Sequence, residues 1–280
     1  MIITNKYNLP QAMVDLVKDS IYEPKPDSFS ATTLLNPVRQ TKLLREHFDE
    51  IEVDVADRVN SLLGTATHSL IEKFDKTGFA EMYLREPIKD GYFLTGKCDL
   101  YDESECALID YKTATCWKII YKDFDDWKKQ GLIYAWLLGR QGKLVTKLKF
   151  HAILKDWTAR EKRLADFKGE FYPEAQVWTW EYDVSTADLI YIEAFINDRF
   201  SALISNDLPE CTPEETWYTG DKWAVYGKLG DARAKRVLDS EQEANDYVAK
   251  NGGVIVKRDG EHRRCQDYCD VYRWCKGGNV

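Results

Sequence analysis

Three consecutive strand patterns in the middle of the chain limit its possible folds most strongly. They span residues 81–86, 91–101 and 106–112. Gly91 marks the first turn and the acidic run 102–105 marks the second, so we expect antiparallel neighbours in a meander. Helical patterns flank the meander at 53–74 and 125–138, and another strand pattern follows at 147–154. This order of helix, three-stranded meander, helix and strand predicts a mixed α/β core.

The rest of the chain divides into smaller predicted regions. Thr77-Gly78 ends the first long helix, and Ser240 caps a helix over 240–250 between strand patterns. The predicted domains are an N-terminal helical region (1–52), a core (53–215), a small β-β-α-β insertion (216–259) and a Cys-rich tail packing back on the core (260–280).

Composition excludes several classes of protein. Hydrophobic residues make up 44% and charged residues 31% of the 280 residues, which excludes a wholly disordered chain. The longest strongly apolar stretch, Leu132 to Leu138, is far shorter than the roughly 20 residues of a membrane-spanning helix. No secretory signal opens the sequence, so we expect a cytoplasmic protein. Seven cysteines in such a chain favour reduced thiols or metal ligands over a disulfide framework.

The charge is distributed unevenly along the chain. A formal net charge of -8 argues against a nucleic-acid binder when taken alone. Residues 112–168, however, contain fourteen Lys and Arg against six Asp and Glu. This basic segment is either a surface that attracts phosphate or a solvated lysine-rich face, and charge alone does not choose between them.

Several acidic residues and one lysine come together at one end of the meander. Asp99 lies on the second strand pattern, and alternation places Asp110 and Lys112 on one face of the third. Converging carboxylates bind hard divalent cations such as Mg²⁺ or Mn²⁺, and a neighbouring lysine stabilises charge on phosphate. Glu86, at the end of the first pattern, is placed to join the cluster. The alternative is a set of surface salt bridges on a hairpin.

The flanking helices carry further polar candidates. His68 lies beside the apolar stripe of the first helix, where it is either a core histidine or a metal ligand. Gln130 and Tyr134 are four residues apart on the second helix, which places them on one face. Their amide and hydroxyl groups suit contacts with phosphates or base edges.

The ordered set of motifs is specific. It consists of Gly64-Thr65-Ala66-Thr67-His68, Glu86, Gly96-Lys97-Cys98-Asp99, Asp110-Tyr111-Lys112 and Gln130-Gly131-Leu132-Ile133-Tyr134. It resembles the PD-(D/E)XK nuclease superfamily, in particular its RecB-like branch. That branch includes AddB-type nucleases, the iron-sulfur nucleases of CRISPR adaptation and phage exonucleases. The resemblance covers residues 60–155 and implies a restriction-endonuclease-like core.

The resemblance assigns a role to each motif residue. The implied metal ligands for Mg²⁺ or Mn²⁺ are His68, Asp99, Asp110 and the backbone carbonyl of Tyr111. Lys112 would position or activate the attacking water, and Glu86 would be an accessory acid. Gln130 and Tyr134 would contact DNA. The aromatic residues Trp117 and Tyr121 are candidates for stacking on bases, whereas Trp127 fits the core better.

The implied function is a metal-dependent DNA exonuclease of phage-type recombination, replication or repair. Its substrate would be linear DNA ends, single- or double-stranded, with a single-strand-binding protein, a recombinase or a helicase as candidate partners. One alternative is a structure-selective or nicking endonuclease of the same fold. The other is a non-catalytic DNA-binding or assembly module that contains a four-cysteine metal site.

Four cysteines predict a second metal site. Cys265, Cys269 and Cys275 lie close together near the end of the chain, and Cys211 precedes the insertion. Four thiolates are the ligand set of a [4Fe-4S] cluster or of a four-cysteine zinc site. Cluster-containing relatives place one cysteine before the histidine motif, whereas this sequence has none before Cys98. We therefore expect Cys211 to be the fourth ligand, provided that the insertion loops out and returns.

Overall fold

The computed structural model describes residues 1–74 and 80–275, so the predicted helix end at Thr77-Gly78 lies outside them. The chain divides into two units, Met1–Leu208 and Pro209–Val280. Their strands and helices confirm the mixed α/β class. None of the helices in the described ranges has the length and apolar character that crossing a membrane requires.

The first unit contains strands and helices in alternation. Its strands are β1 (Ile2–Thr4), β2 (Ser28–Ser30), β3 (Glu52–Asp54), β4 (Ala80–Lys89), β5 (Tyr92–Asp102), β6 (Ala107–Ala114), β7 (Lys147–Leu154) and β8 (Val177–Asp183). Its helices are α1 (Gln11–Ser20), α2 (Ala31–Leu35), α3 (Val38–Glu46), α4 (Val59–Phe74), α5 (Cys116–Ile120), α6 (Asp125–Arg140), α7 (Ala159–Lys168) and α8 (Thr186–Ile204).

The main sheet is organised around β5, which has a different partner on each part of one edge. Antiparallel β4 pairs with residues 92–100 along the other edge. On the divided edge, parallel β2 pairs with residues 93–95 and antiparallel β6 with residues 100–102. Among the described residues, no strand pairs with 96–99 on that edge. The sheet continues through β7, parallel to β6, to antiparallel β8.

Helix α6 forms the centre of the core against this sheet. Its buried face includes Trp127, Leu132 and Leu138, and these residues pack with buried residues of β5, β6 and β7. Gly131 allows the helix to approach β7 closely, because a Cβ there would lie 2.8 Å from Leu148 Cδ1 and 3.0 Å from Phe150 Cζ. The burial of Trp127 agrees with its expected place in the core.

The N-terminal residues are part of the first unit rather than a helical region of their own. β2 joins the main sheet, and β1 pairs with β3 in a small parallel sheet. The predicted helix over 53–74 is too long at its start, because residues 52–54 are β3 and a 3-10 helix (Val55–Arg58) precedes α4. The Asp54 side chain accepts the Ala56 N–H and so caps that 3-10 helix.

The second unit contains the predicted insertion and the cysteine-rich segment together. Its elements are β9 (Lys222–Tyr226), β10 (Arg236–Leu238), α9 (Glu241–Asn251), β11 (Val254–Arg258), α10 (Arg263–Asp267) and α11 (Tyr272–Cys275). The strands form an antiparallel sheet in the order β10-β9-β11, and Ala244 of α9 is buried with Ala224 and Val225 of β9. The Ser240 side chain caps α9 by accepting the Glu243 N–H.

The close approach of α6 to β7 gives a stability prediction with a matched control on the same helix. We expect Gly131→Ala to lower the free energy of unfolding by about 1–3 kcal/mol, because both neighbouring side chains are fully buried and cannot move away. Gly139→Ala, where no atom lies within 4 Å, should raise it by up to about 1 kcal/mol through helix propensity. Urea unfolding measures both changes, and equal effects would contradict the close packing.

Candidate active site

The two aspartates meet where β5 and β6 separate. The strand pairing ends at Leu100 and Ile109, and the next positions in register are Asp99 and Asp110. Beyond this point the Asp99 side chain replaces the strand ladder, because its Oδ2 accepts the Tyr111 N–H at 2.7 Å. Both carboxylates therefore lie at the gap in the edge of β5, and the paired segments on either side of the gap hold the backbone in place.

A histidine and a second acid complete one side of the site. Nδ1 of His68, on α4, lies 3.1 Å from Oδ1 of Asp99. The ligand atoms of His68, Glu81 and Asp99 all lie within 4.8 Å of one another. Ligands that share an Mg²⁺ ion at about 2.1 Å lie at most about 4.2 Å apart, so this set fits a hard divalent cation after small adjustments.

The backbone at Glu81 is unusual. Its φ of +54° lies in the left-handed region, which a non-glycine side chain rarely adopts and which costs free energy. Glu81 is also ion-paired with Lys97, the residue two positions before Asp99 on β5. The unusual conformation thus occurs at a residue that belongs to the carboxylate cluster.

On the other side of the site, Lys112 is held by two groups. Its Nζ lies 2.6 Å from Asp110 Oδ2 and donates to Gln130 Oε1 at 2.7 Å. The Gln130 amide in turn donates to the Tyr134 hydroxyl at 3.4 Å. The Lys112 and Asp110 side chains are 17% and 4% exposed, so solvent screens their interaction weakly.

Burial and neighbouring groups shift the pKa values of the site residues. Burial raises the pKa of Asp110 to about 6, although the positive charge of Lys112 opposes the shift. The hydrogen bond to Asp99 raises the pKa of His68 above its ordinary value. Burial also raises the pKa of the Tyr134 hydroxyl, which therefore remains protonated. The site can retain a proton near neutral pH without a bound cation.

The structure does not bring Glu86 into this cluster. Glu86 pairs with Leu94 of β5, five positions from Asp99 and therefore about 16 Å along the strand. Its carboxylate instead accepts a hydrogen bond from Arg140 Nε at 2.9 Å. The predicted placement of Glu86 is wrong, and the acid that occupies that position is Glu81.

Sequence reasoning missed Glu81 although a signal was available. Asp90-Gly91 is a tight two-residue turn, so counting outward from it along β4 and β5 places the region of Glu81 opposite Asp99. A register shift between Pro87 and Lys89 then decides which residue faces Asp99. A sequence does not reveal such a shift, because it depends on packing around the turn.

The outcome differs for the other predicted residues. Tyr134 is buried, with 6% of its surface exposed, and a Cβ at Gly96 would lie 2.6 Å from its ring. Most of the Tyr134 ring is therefore covered by the protein, and its contact with DNA stays a prediction. Gln130 is half-buried and contacts Lys112, so the described structure gives it a positioning contact. The Tyr111 carbonyl as a metal ligand stays a prediction.

Two of the aromatic residues proposed for base stacking are on the surface. Trp117 and Tyr121 are 59% and 73% exposed, and their rings stack with centroids 5.7 Å apart. Several lysines of the basic segment are paired with nearby acids, among them Lys118 with Asp126 at 2.8 Å. The segment thus combines exposed aromatic rings with a partly neutralised surface.

Comparisons with known proteins identify no family for the chain. No protein-family model matches the sequence, and no curated protein matches it significantly. Among solved structures, SSO0001 is similar with 16% identity and a TM-score of 0.49, over 74% of this chain and 89% of that one.

Two further solved structures carry the word exonuclease in their descriptions. A phage-related exonuclease from Haemophilus somnus 129PT has 16% identity and a TM-score of 0.36, over 66% of this chain and 94% of its own. LHK-Exo in complex with dAMP has 15% identity and a TM-score of 0.34, over 62% and 86%. At these values the likeness establishes neither the family nor the activity of this chain.

The raised pKa of Asp110 gives a pH-dependence prediction. Between about pH 4 and about pH 6 the Asp110 carboxyl holds its proton in the folded protein and loses it in the unfolded chain, so the contribution of this group to stability falls as pH rises through this window. Asp110→Asn removes the titration. In metal-free buffer, the free energy of unfolding of the wild type relative to this variant should fall by on the order of 2 kcal/mol from about pH 4 to about pH 7.

Urea unfolding at several pH values measures this difference. The exposed Asp183→Asn serves as the control and should show no comparable pH-dependent difference from the wild type. A constant difference between the wild type and Asp110→Asn across the window would contradict the raised pKa.

Proposed function

We propose that the protein is a metal-dependent deoxyribonuclease that hydrolyses phosphodiester bonds, acting as an exonuclease in phage-type DNA recombination, replication or repair. The observation that carries the proposal is the convergence of Asp99, Asp110 and Lys112 at the separation of β5 and β6, with His68 and Glu81 beside them. The sequence resemblance to RecB-like nucleases supports the choice of an exonuclease.

The donor set fits the implied Mg²⁺ or Mn²⁺ ion. His68, Glu81 and Asp99 supply one imidazole nitrogen and two carboxylates, and Asp110 adds a buried carboxylate on the neighbouring strand. The Tyr111 carbonyl remains a proposed further ligand. When bound, the cation supplies a Lewis acid that polarises a phosphoryl oxygen and neutralises developing negative charge.

The protein's own residues position the reacting groups. Gln130 accepts one of the three N–H donors of the Lys112 ammonium, and Asp110 pairs with its charge. A donor that Gln130 does not take can orient the attacking water or contact a phosphate oxygen. Tyr134 supports Gln130 from the core, and Gly96 leaves room for the Tyr134 ring. Because these contacts already hold Lys112 in one conformation, the side chain loses little further conformational entropy when it acts.

The basic segment 112–168 would track the sugar-phosphate backbone, and the stacked pair Trp117 and Tyr121 would contact unpaired bases. Such binding depends little on sequence and strongly on salt. A single-strand-binding protein, a recombinase or a helicase remains a proposed partner.

A nuclease assay tests the proposal. Linear and covalently closed DNA of one sequence are incubated with Mg²⁺ or Mn²⁺ and the wild type, Lys112→Ala or Lys222→Ala. We expect loss of the linear DNA alone, with Lys112→Ala slower by at least about 100-fold because a charge-stabilising donor is lost. Lys222→Ala removes a lysine of β9, in the second unit, that is paired with Asp239, and its activity should be close to that of the wild type.

The outcomes separate the candidate functions. Cleavage of both DNA forms would retain the site but make the protein an endonuclease. The absence of cleavage with either metal, for a folded protein, would contradict catalysis and favour the binding-module alternative.

We also propose that Cys211, Cys265, Cys269 and Cys275 hold a metal centre in the second unit. Burial is the main cause that raises the pKa of the Cys211 thiol to about 11. The other three thiols lie close enough for their charges to raise this pKa further. None of the seven cysteines, all of which are described, forms a disulfide. The proposal is supported by two contacts across the base of the insertion, because Tyr218 pairs with His262 and Arg264 donates its N–H to the Thr216 carbonyl.

Four thiolates are the ligand set of either a [4Fe-4S] cluster or a zinc ion. The resemblance to iron-sulfur nucleases favours the cluster for this centre.

Metal analysis tests the second centre. Protein purified without oxygen should contain about four iron and four sulfide per chain, and Cys269→Ser should lose most of both. Cys106→Ser is the control, because Cys106 lies in the other unit. One zinc per chain would retain the site with the alternative ion, and neither metal would contradict it.

A further inference from the structure

The loop between β9 and β10 has no role in the account above. Residues 227–236, called the basic loop from here on, comprise this loop and the first residue of β10. They contain four cations and one acid, whereas the whole chain has a net charge of -8. The cations are Lys228, Arg233, Lys235 and Arg236, and all four are exposed. Such a local excess of positive charge attracts anions.

The cations of the basic loop differ from two other lysines of the second unit, because they have no carboxylate partner. Lys222, at the opposite end of β9, is ion-paired with Asp239. Lys257 of β11 lies 2.7 Å from an oxygen of Asp221 and 2.9 Å from one of Asp259. Among the described residues, no ion pair includes a cation of the basic loop. The charge of the loop is therefore available to a ligand.

The acid of the basic loop is bonded to the backbone of the loop itself. Asp231 Oδ2 accepts the Lys228 N–H at 3.0 Å, and the Asp231 N–H donates to the Lys228 carbonyl at 3.2 Å. Gly230, between them, has a φ of +96°, a left-handed backbone that glycine adopts at little cost. These bonds give the loop a defined shape, so it loses less conformational entropy when a ligand binds.

We propose that the basic loop binds the phosphates of duplex DNA. The cations lie on both sides of the tip, with Lys228 before Leu229-Gly230 and the other three after it. The major groove of DNA admits a two-stranded β-ribbon, and the sugar-phosphate backbones form its two walls. Cations on both limbs of the hairpin can therefore contact both strands of the duplex.

The composition of the basic loop favours a duplex over other anionic partners. Single-stranded DNA is bound largely by stacking of its bases on aromatic rings, and residues 227–236 include no aromatic residue. A protein interface needs an apolar centre, and Leu229, 77% exposed, is the only large apolar side chain in these residues. The phosphates of a duplex require cations alone.

This inference rests on the proposed nuclease function for its choice of DNA as the anion, and it extends that function to the second unit. Contacts with phosphates position a protein on DNA without reading the sequence. They weaken as the salt concentration rises, because binding releases counterions from the duplex. The basic loop should therefore give duplex binding that depends on salt and needs no divalent cation.

Equilibrium binding without added Mg²⁺ or Mn²⁺ tests the inference, and it does not require catalysis. Fluorescence anisotropy measures the affinity of the full chain for a duplex closed at both ends and for a single strand of the same sequence, over about 50 to 200 mM salt. The loop variant is Lys228→Gln/Arg233→Gln. The matched control, Lys6→Gln/Lys222→Gln, also removes two positive charges, but both of its lysines are paired with carboxylates.

We expect the loop variant to bind the duplex at least about tenfold more weakly than the wild type at roughly 100 mM salt. The slope of log K against log salt should become shallower by about 2, because each lost phosphate contact removes about 0.9. The control should bind as the wild type does. A charge-conserving variant, Lys228→Arg/Arg233→Lys, should retain the slope of the wild type, which distinguishes a lost phosphate contact from a disturbed loop.

An unchanged slope for the loop variant, or equal weakening by the control, would overturn the inference. Weakening for the single strand alone would overturn the choice of a duplex, and a wild type that binds neither DNA would leave the basic loop to an acidic protein. The two proposals fail separately. A wild type that cleaves no DNA but shows the expected slopes would refute only the proposed catalysis, and one that cleaves DNA with equal slopes would refute only this inference.

Discussion

The candidate site depends on an interruption of one β-ladder. β5 and β6 pair at only three positions, and the Tyr111 N–H that follows would lack a partner if the Asp99 carboxylate did not accept it. A buried backbone donor needs such a partner, so this bond fixes Asp99 at the point where the strands separate. His68 approaches the other oxygen of the same carboxylate from α4. The need of the Tyr111 N–H for an acceptor thus orients the Asp99 carboxylate and the groups around it.

The second feature is a buried ion pair that stability alone does not explain. Asp110 and Lys112 are nearly removed from solvent, and desolvating two charges offsets much of their attraction. Apolar residues of similar size would stabilise such a position as well or better. The pair is nevertheless supported by Gln130, by Tyr134 and by the space that Gly96 leaves. A preorganised lysine beside two carboxylates is useful for chemistry on a phosphate. This use accounts for the free energy that is lost when the two charges are removed from solvent.

Much of this arrangement could be predicted because it follows from strand alternation and turn length. The meander, the convergence of Asp99 with Asp110 and the placement of Lys112 all depend on the period of two residues in a strand. Glu86 was misplaced because a register shift near the turn and the left-handed backbone at Glu81 are set by tertiary packing. Spacing placed Gln130 and Tyr134 on one helix face, but it could not show that this face turns toward the core at Tyr134.

Calorimetric titration with Mn²⁺ tests whether the groups at the point where β5 and β6 separate bind a divalent cation. The wild type should bind Mn²⁺ at this site. Glu81→Gln should weaken the binding by at least about tenfold, because a ligand next to His68 and Asp99 is lost. Glu86→Gln should leave it unchanged, because Glu86 is paired with Arg140 away from the site. Absence of binding to the wild type, or equal weakening by the two variants, would contradict the account.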